Sequence, residues 1–123
     1  MDLNKVGILG VPLGFGAGHS GSELGVNAMR LTRFRGLSLA EHIQRLGIQV
    51  TDHGDVAIVR PSTDGQGENP KHLAEMVASS TAIASSLSSM LKAGEFPVIF
   101  GGDHAIAIAT FSAIATHYRE NET

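Results

Sequence analysis

Among residues able to do chemistry, the run Gly101-Gly102-Asp103-His104 comes first, because it follows five apolar residues, Phe96 to Phe100. That run reads as a buried strand, and the two glycines allow a tight turn off its carboxyl end. In parallel α/β sheets, ligands and chemistry gather at strand carboxyl ends. A neutral imidazole at His104 can bind a divalent metal, with Asp103 as its outer hydrogen-bonding partner or as a helix cap. The plainer reading is that Asp103 caps a helix and His104 occupies its first turn. One imidazole does not make a metal site, since a divalent cation needs several oxygen or nitrogen ligands, and no second cluster with suitable spacing is present. No Ser-His-Asp pattern or pair of carboxylates can be assigned either.

A second candidate is the glycine-rich segment Leu13 to Gly21, which contains GxGxxG at Gly16, Gly18 and Gly21. Between a strand and a helix, such glycines could approach a pyrophosphate, with Asp52 standing in for the ribose-binding acid. Against this, Pro12 separates the strand from the motif, Gly16 comes late for a tight turn, and no P-loop pattern follows. Among the other histidines, His42, His72 and His117 read as solvated. His53 reads as the start of a turn bonding to its neighbours, and His19 as a residue of the glycine loop able to line a pocket.

The elements that must position these residues alternate. Val6 to Val11 is a continuous apolar run stopped by Pro12, and it reads as the first buried strand. Ser22 is suited to cap a helix with an apolar side of Ala28, Met29, Leu31 and Phe34, ended by Gly36. Ser38 and Glu41 form a capping-box pattern for a helix from Leu39 to Leu46, closed by Gly47. Ile48, Val50 and Asp52 mark a second strand, and Gly54 to Asn69 reads as a long loop. Leu73, Met76, Val77, Ile83, Ala84, Leu87, Met90 and Leu91 recur at helical spacing between Pro70 and Lys92. The strand Phe96–Phe100, read as covered on both faces, and a helix from Ala105 to Ala115 capped by Asp103 follow. This order predicts one α/β unit over residues 1–123, a three-layer αβα arrangement with a parallel sheet and right-handed crossovers.

Composition narrows the function classes. Of 123 residues, 42% are hydrophobic and 17% charged, which suits a globular chain. With 9 basic and 12 acidic residues, the net charge is -3 and no basic cluster stands out, which argues against nucleic acid as a partner. There is no cysteine, so disulfides and thiolate metal sites are out. No apolar run approaches the roughly 20 residues that span a bilayer. The start, with Asp2 ahead of its apolar part, does not read as a secretory signal. A soluble, cytoplasmic protein without a membrane partner is expected.

Several stretches together resemble the ureohydrolases, the family of arginase and agmatinase. GGDHAIAIATFSAI (Gly101 to Ile114) resembles the family's first metal-binding motif. VGILGVPLGFGAGHSG followed by LGVNAMR resembles its first strand, glycine loop and Gly-Pro-x-x-x-Arg helix start, with Val26 where the pattern usually has Pro. Gly54-Asp55 resembles the Gly-Asp after the second strand, and the spacing through GEFPVIFGGDH to HYREN is closest to bacterial arginases.

The resemblance implies an arginase-like sheet with its first three strands in the order 2-1-3. It also implies a binuclear manganese enzyme in which a metal-bridging hydroxide attacks the guanidinium carbon of a small substrate such as arginine and releases urea. His104 would be a ligand to one of the two ions, with Asp103 as its outer partner. The family's DAHxD-type and DxDxxDP-type motifs are not in this sequence, so no complete catalytic site is expected in this chain. The expectation is an amino-terminal segment, inactive alone, whose exposed edge at residues 96–100 favours homo-oligomers or association with the remainder. The alternatives are a non-enzymatic α/β module or assembly fragment and, below it, a dinucleotide-binding domain.

Overall fold

A ten-residue strand, β1 (Asp2–Val11), runs through the middle of the molecule, and its last six residues are all buried. That is the pattern of a parallel strand covered on both faces, where apolar residues run continuously instead of alternating. In the computed structural model, which describes residues 2–15, 21–59 and 73–121, six further elements follow a single 3-10 turn at Ser22–Leu24. They are α1 (Gly25–Leu31), α2 (Leu39–Gln44), β2 (Gln49–Asp55), α3 (Leu73–Lys92), β3 (Glu95–Gly101) and α4 (Ile106–Glu120). Among the described residues the sheet has three parallel strands in the order β2-β1-β3.

Strand order and handedness decide where the helices go. The step from β1 to β2 and the step from β2 to β3 run in opposite directions along the sheet, so right-handed crossovers put their helices on opposite faces. Two apolar clusters record this. Val6, Ile8, Val26 and Phe100 form one, with Ala40 and Ile43 of α2 against it. Leu9, Val11 and Leu13 join Ile83, Leu87, Met90 and Leu91 of α3 and Ala109 and Ala113 of α4 in the other. Alternate residues of β1 therefore serve opposite layers, as the two-residue period of a strand requires. The parallel α/β sheet and its order 2-1-3 are as expected.

Local rules held at some ends and not at others. Ser38 Oγ accepts from the Glu41 N–H at 3.2 Å, the N-cap expected there, while its hydroxyl donates to Glu41 Oε1 at 3.2 Å, so the acid meets the serine side chain in place of its backbone N–H. Ser22 caps nothing by its side chain, because a 3-10 turn preceded by Gly21 intervenes before α1. The expected apolar side of α1 is not buried. Val26 is buried, whereas Leu31 is 79% and Phe34 65% exposed. On α3 the stripe is fully buried only from Ser79 onward, Met76 is half-buried against the core, and Leu73 and Val77 are both more than half exposed. Ser79 is buried in place of an apolar residue because its hydroxyl meets the Val59 backbone, accepting from N–H at 3.3 Å. In β3 only Phe100 is fully buried, and Phe96 is 40% exposed, so the strand is not covered on both faces along its length.

A candidate metal ligand at the strand carboxyl ends

His104 is placed by a backbone turn that only glycine can make. Gly102 has φ +60, and a Cβ there would lie 2.6 Å from the carbonyl oxygens of both Val11 and Leu13. The turn thus lies directly on the end of β1. Asp103 N–H donates to the Leu13 carbonyl at 2.7 Å, and Asp103 Oδ1 accepts from the Ala105 N–H at 2.9 Å. Asp103 is buried and His104 is exposed. The expected cap is therefore corrected in detail. Asp103 closes a turn onto Ala105, and α4 begins at Ile106 with Ala105 preceding it, so His104 stands before the helix and not in its first turn. Its imidazole projects from the carboxyl end of β3, free of packed neighbours that would bury it.

Beside this turn, Arg30 of α1 ties β2 to the adjoining strands. Its Nε donates to Asp52 Oδ2 at 3.1 Å, its Nη2 to Asp52 Oδ1 at 2.9 Å, and its Nη1 to Asp55 Oδ1. Its guanidinium carbon lies 6.0 Å from the centroid of the Phe100 ring, within cation–π range. Both acids reach Arg30 because of a bulge. Ile8 pairs with Asp52 and Gly10 with Asp55, so β2 uses one extra residue there, and Gly54 takes φ +76. In a regular strand, residues three apart such as Asp52 and Asp55 would face opposite sides of the sheet, and the bulge brings them to one side.

Burial pulls the Asp52 carboxyl up, but hydrogen bonds from Arg30 and from the Gly54 N–H, with the Arg30 and His53 charges, outweigh it and hold the carboxyl below its ordinary value. The hydrogen bond to Asp52 leads in raising Arg30, against its own desolvation. A carboxylate depressed in the fold contributes stability above its unfolded value, and that stability is lost as pH falls through the folded value. Arg30→Met is therefore expected to cost about 1 kcal/mol at pH 7, discounted for partial exposure. The gap between wild type and variant should shrink as urea midpoints are measured downward through about pH 4. A gap constant to acid pH would contradict the assignment.

Asp52 has both oxygens engaged by Arg30, and Oδ1 also accepts from Gly54 N–H at 2.9 Å, so it is not a free ribose-binding acid. Gly16, Gly18, His19 and His72 lie outside the described residues. His53 starts no turn. It sits in β2, and its Nε2 donates to Glu95 Oε2 of β3 at 2.7 Å, across the intervening β1. His42 donates from Nε2 to the Phe34 carbonyl at 2.7 Å instead of being merely solvated. Two clefts flank β2, one of about 220 Å³ beside Arg30 and Phe100 and one of about 310 Å³ beside His53 and Ser86. Neither has His104 in its wall. Among the described residues, no group of three or more His, Asp or Glu side chains converges on one point. The imidazole of His104 thus fits one coordination position of a metal, and the described residues do not assemble a whole site.

The sequence places this arrangement among known proteins. A model of the arginase family matches residues 4–122. The chain belongs to the arginase family. It is 32% identical over 118 residues to the arginase of Brevibacillus brevis, covering 95% of this chain and 38% of that protein. The native arginase structure from Bacillus caldovelox superimposes with a TM-score of 0.77 at 30% identity, over 92% of this chain and 37% of that one. A putative agmatinase from Clostridium difficile shares the fold alone, with a TM-score of 0.61 at 18% identity over 94% of this chain and 38% of that one. The arginase-family chain described here thus spans about 38% of the length of the curated relatives it matches. No helix among its described residues is long and apolar enough to cross a membrane.

Proposed function

We propose that this chain is the amino-terminal segment of a manganese-dependent ureohydrolase of the arginase type, with L-arginine as substrate and L-ornithine and urea as products. His104 is its contribution to a binuclear metal centre, and Asp103 acts behind it by fixing the turn. The observation that carries the reading is the position of His104, held at the carboxyl end of β3 by Gly102 in a chain whose sequence belongs to the arginase family. When bound, manganese supplies Lewis acidity and a hydroxide nucleophile at neutral pH. This chain's residues provide one imidazole donor and the rigid support beneath it. Arginase is favoured over agmatinase by the 32% and 31% identities to the arginases of Brevibacillus brevis and Bacillus caldovelox. The cytoplasm is the proposed compartment, in keeping with a cysteine-free chain.

Two measurements test this reading. Titrating Mn²⁺ into the isotopically labelled 123-residue chain should broaden the NMR signals of the His104 ring before those of His42, His53 or His117. Equal broadening at all four, or none, would sink the ligand assignment. Alone, the chain should release no urea from arginine with Mn²⁺ present, because one donor cannot hold two ions. Measurable turnover by the isolated chain would refute its role as a partial site.

The same reading proposes a partner. Because α4 packs with α3 on one face, a right-handed crossover after α4 can add a strand only beyond β3. Among the described residues β3 is a sheet edge, with Phe96 40% exposed. A parallel strand, from the remainder of a ureohydrolase domain or from a second copy, is proposed to pair there. Light scattering should then give a mass above 12.9 kDa that rises with concentration. A constant monomer mass would argue against pairing between copies.

A further inference from the structure

We infer that Arg30 is a positioning residue for the His104 turn, an inference that rests on reading His104 as a metal ligand. The Arg30 guanidinium binds Asp52 and Asp55 of β2 and lies over the Phe100 ring of β3. Between them β1 passes beneath at Gly10, where a Cβ would come 2.9 Å from Arg30 Nη1 and 2.7 Å from Val26 Cγ1. At the other end of α1, a Cβ on Gly25 would lie 3.0 Å from the Gly101 carbonyl oxygen. The helix therefore touches Phe100 and Gly101 in succession, the two residues that lead into Gly102, Asp103 and His104. On its far side the turn is held by Leu13, through the Asp103 N–H.

Only a planar fork can do what Arg30 does here. It bonds one carboxylate through two nitrogens, reaches a second carboxylate with another, and still presents a face to a ring. A lysine ammonium keeps the charge but cannot hold this geometry. Without the fork, the carboxyl end of α1 is released from β2, and the Phe100 ring, still packed with Val6, Ile8 and Val26, loses the guanidinium over its face. The strand end that aims His104 is then free to shift. Groups bonded directly to a metal ligand alter metal affinity by about 10–100-fold when replaced, and Arg30, one step further out, is expected at the low end of that range.

The test compares wild type, Arg30→Lys and Asp52→Asn by NMR on the labelled 123-residue chain. Wild type with Mn²⁺ comes first, because absent broadening at His104 disproves the ligand reading regardless of Arg30. Without metal, both variants should shift the amide signals of Gly101 to Ala105 and the His104 ring, while the amides of Ile83 to Met90 in α3 stay in place. With metal, each should need roughly tenfold more Mn²⁺ for the same broadening at His104. A merely structural role would lower the unfolding midpoint and leave the Gly101–Ala105 signals of the folded chain unmoved, and that result overturns the inference. If Arg30→Lys does not fold, Asp52→Asn carries the comparison, since it keeps the guanidinium and its bond to Asp55.

Discussion

Gly102→Ala is expected to destabilise the chain by about 3 kcal/mol or more and to abolish Mn²⁺-dependent broadening at His104. Two costs add. The residue sits at φ +60, where an L side chain is strained by about 1 kcal/mol. The new Cβ would also lie 2.6 Å from two backbone carbonyl oxygens, those of Val11 and Leu13. Neither oxygen can swing aside like a side chain, because Val11 ends the central strand and the Leu13 carbonyl accepts the Asp103 N–H. The turn must lift off β1, and His104 goes with it. At slopes of about 1–3 kcal/mol/M, the urea midpoint should drop by roughly 1–3 M. A variant within about 0.5 kcal/mol of wild type, with His104 still responsive to Mn²⁺, would show that the turn is not seated as described.

Leu87→Ala is expected to cost about 3 kcal/mol through a different route and to leave the His104 turn unchanged. Leu87 is fully buried on the inner face of α3, in the cluster with Leu9, Val11, Ile83, Leu91, Ala109 and Ala113. Alanine is as good a helix former as leucine, so the loss measures packing and not helix propensity. On the α4 side the space left is faced by Ala109 and Ala113, which are small and fixed in a helix. Leu87→Met, which nearly conserves volume, should cost less than about 1.5 kcal/mol. Chemical denaturation of the three proteins orders them directly. Equal losses for alanine and methionine would mean that shape, and not the cavity, sets the cost. Against a total stability of roughly 5–15 kcal/mol, either Gly102→Ala or Leu87→Ala removes a large share.

The two substitutions separate what was legible early from what was not. The GGDH run after five apolar residues already placed His104 at a strand end, because chain connectivity alone puts the residue after a strand at its carboxyl edge. Why Gly102 must be glycine was not legible in the same way. Its φ is local, but the oxygens it would strike belong to residues about ninety positions earlier, brought there by strand pairing. The Arg30 network was harder still. Asp52 read as a free acid and Arg30 as part of a helix, and the bulge at Gly54 that turns Asp52 and Asp55 to one side follows from pairing with β1.

By itself, the order of apolar runs, glycines and caps determined the class of fold, the strand–helix alternation and the single imidazole on offer. Those follow from short-range physics, since period, turn geometry and capping act over a few residues. Tertiary structure decided which face of each helix is covered. Helical spacing groups Leu31 with Ala28, and Leu73 with Val77, but it carries no information about what lies opposite them. The answer depends on strand order and crossover hand, which set α3 and α4 on one face and α1 and α2 on the other. Tertiary structure alone also joined α1, β2 and β3 through Arg30, because a contact between residues 22 to 70 positions apart exists only once the sheet has assembled.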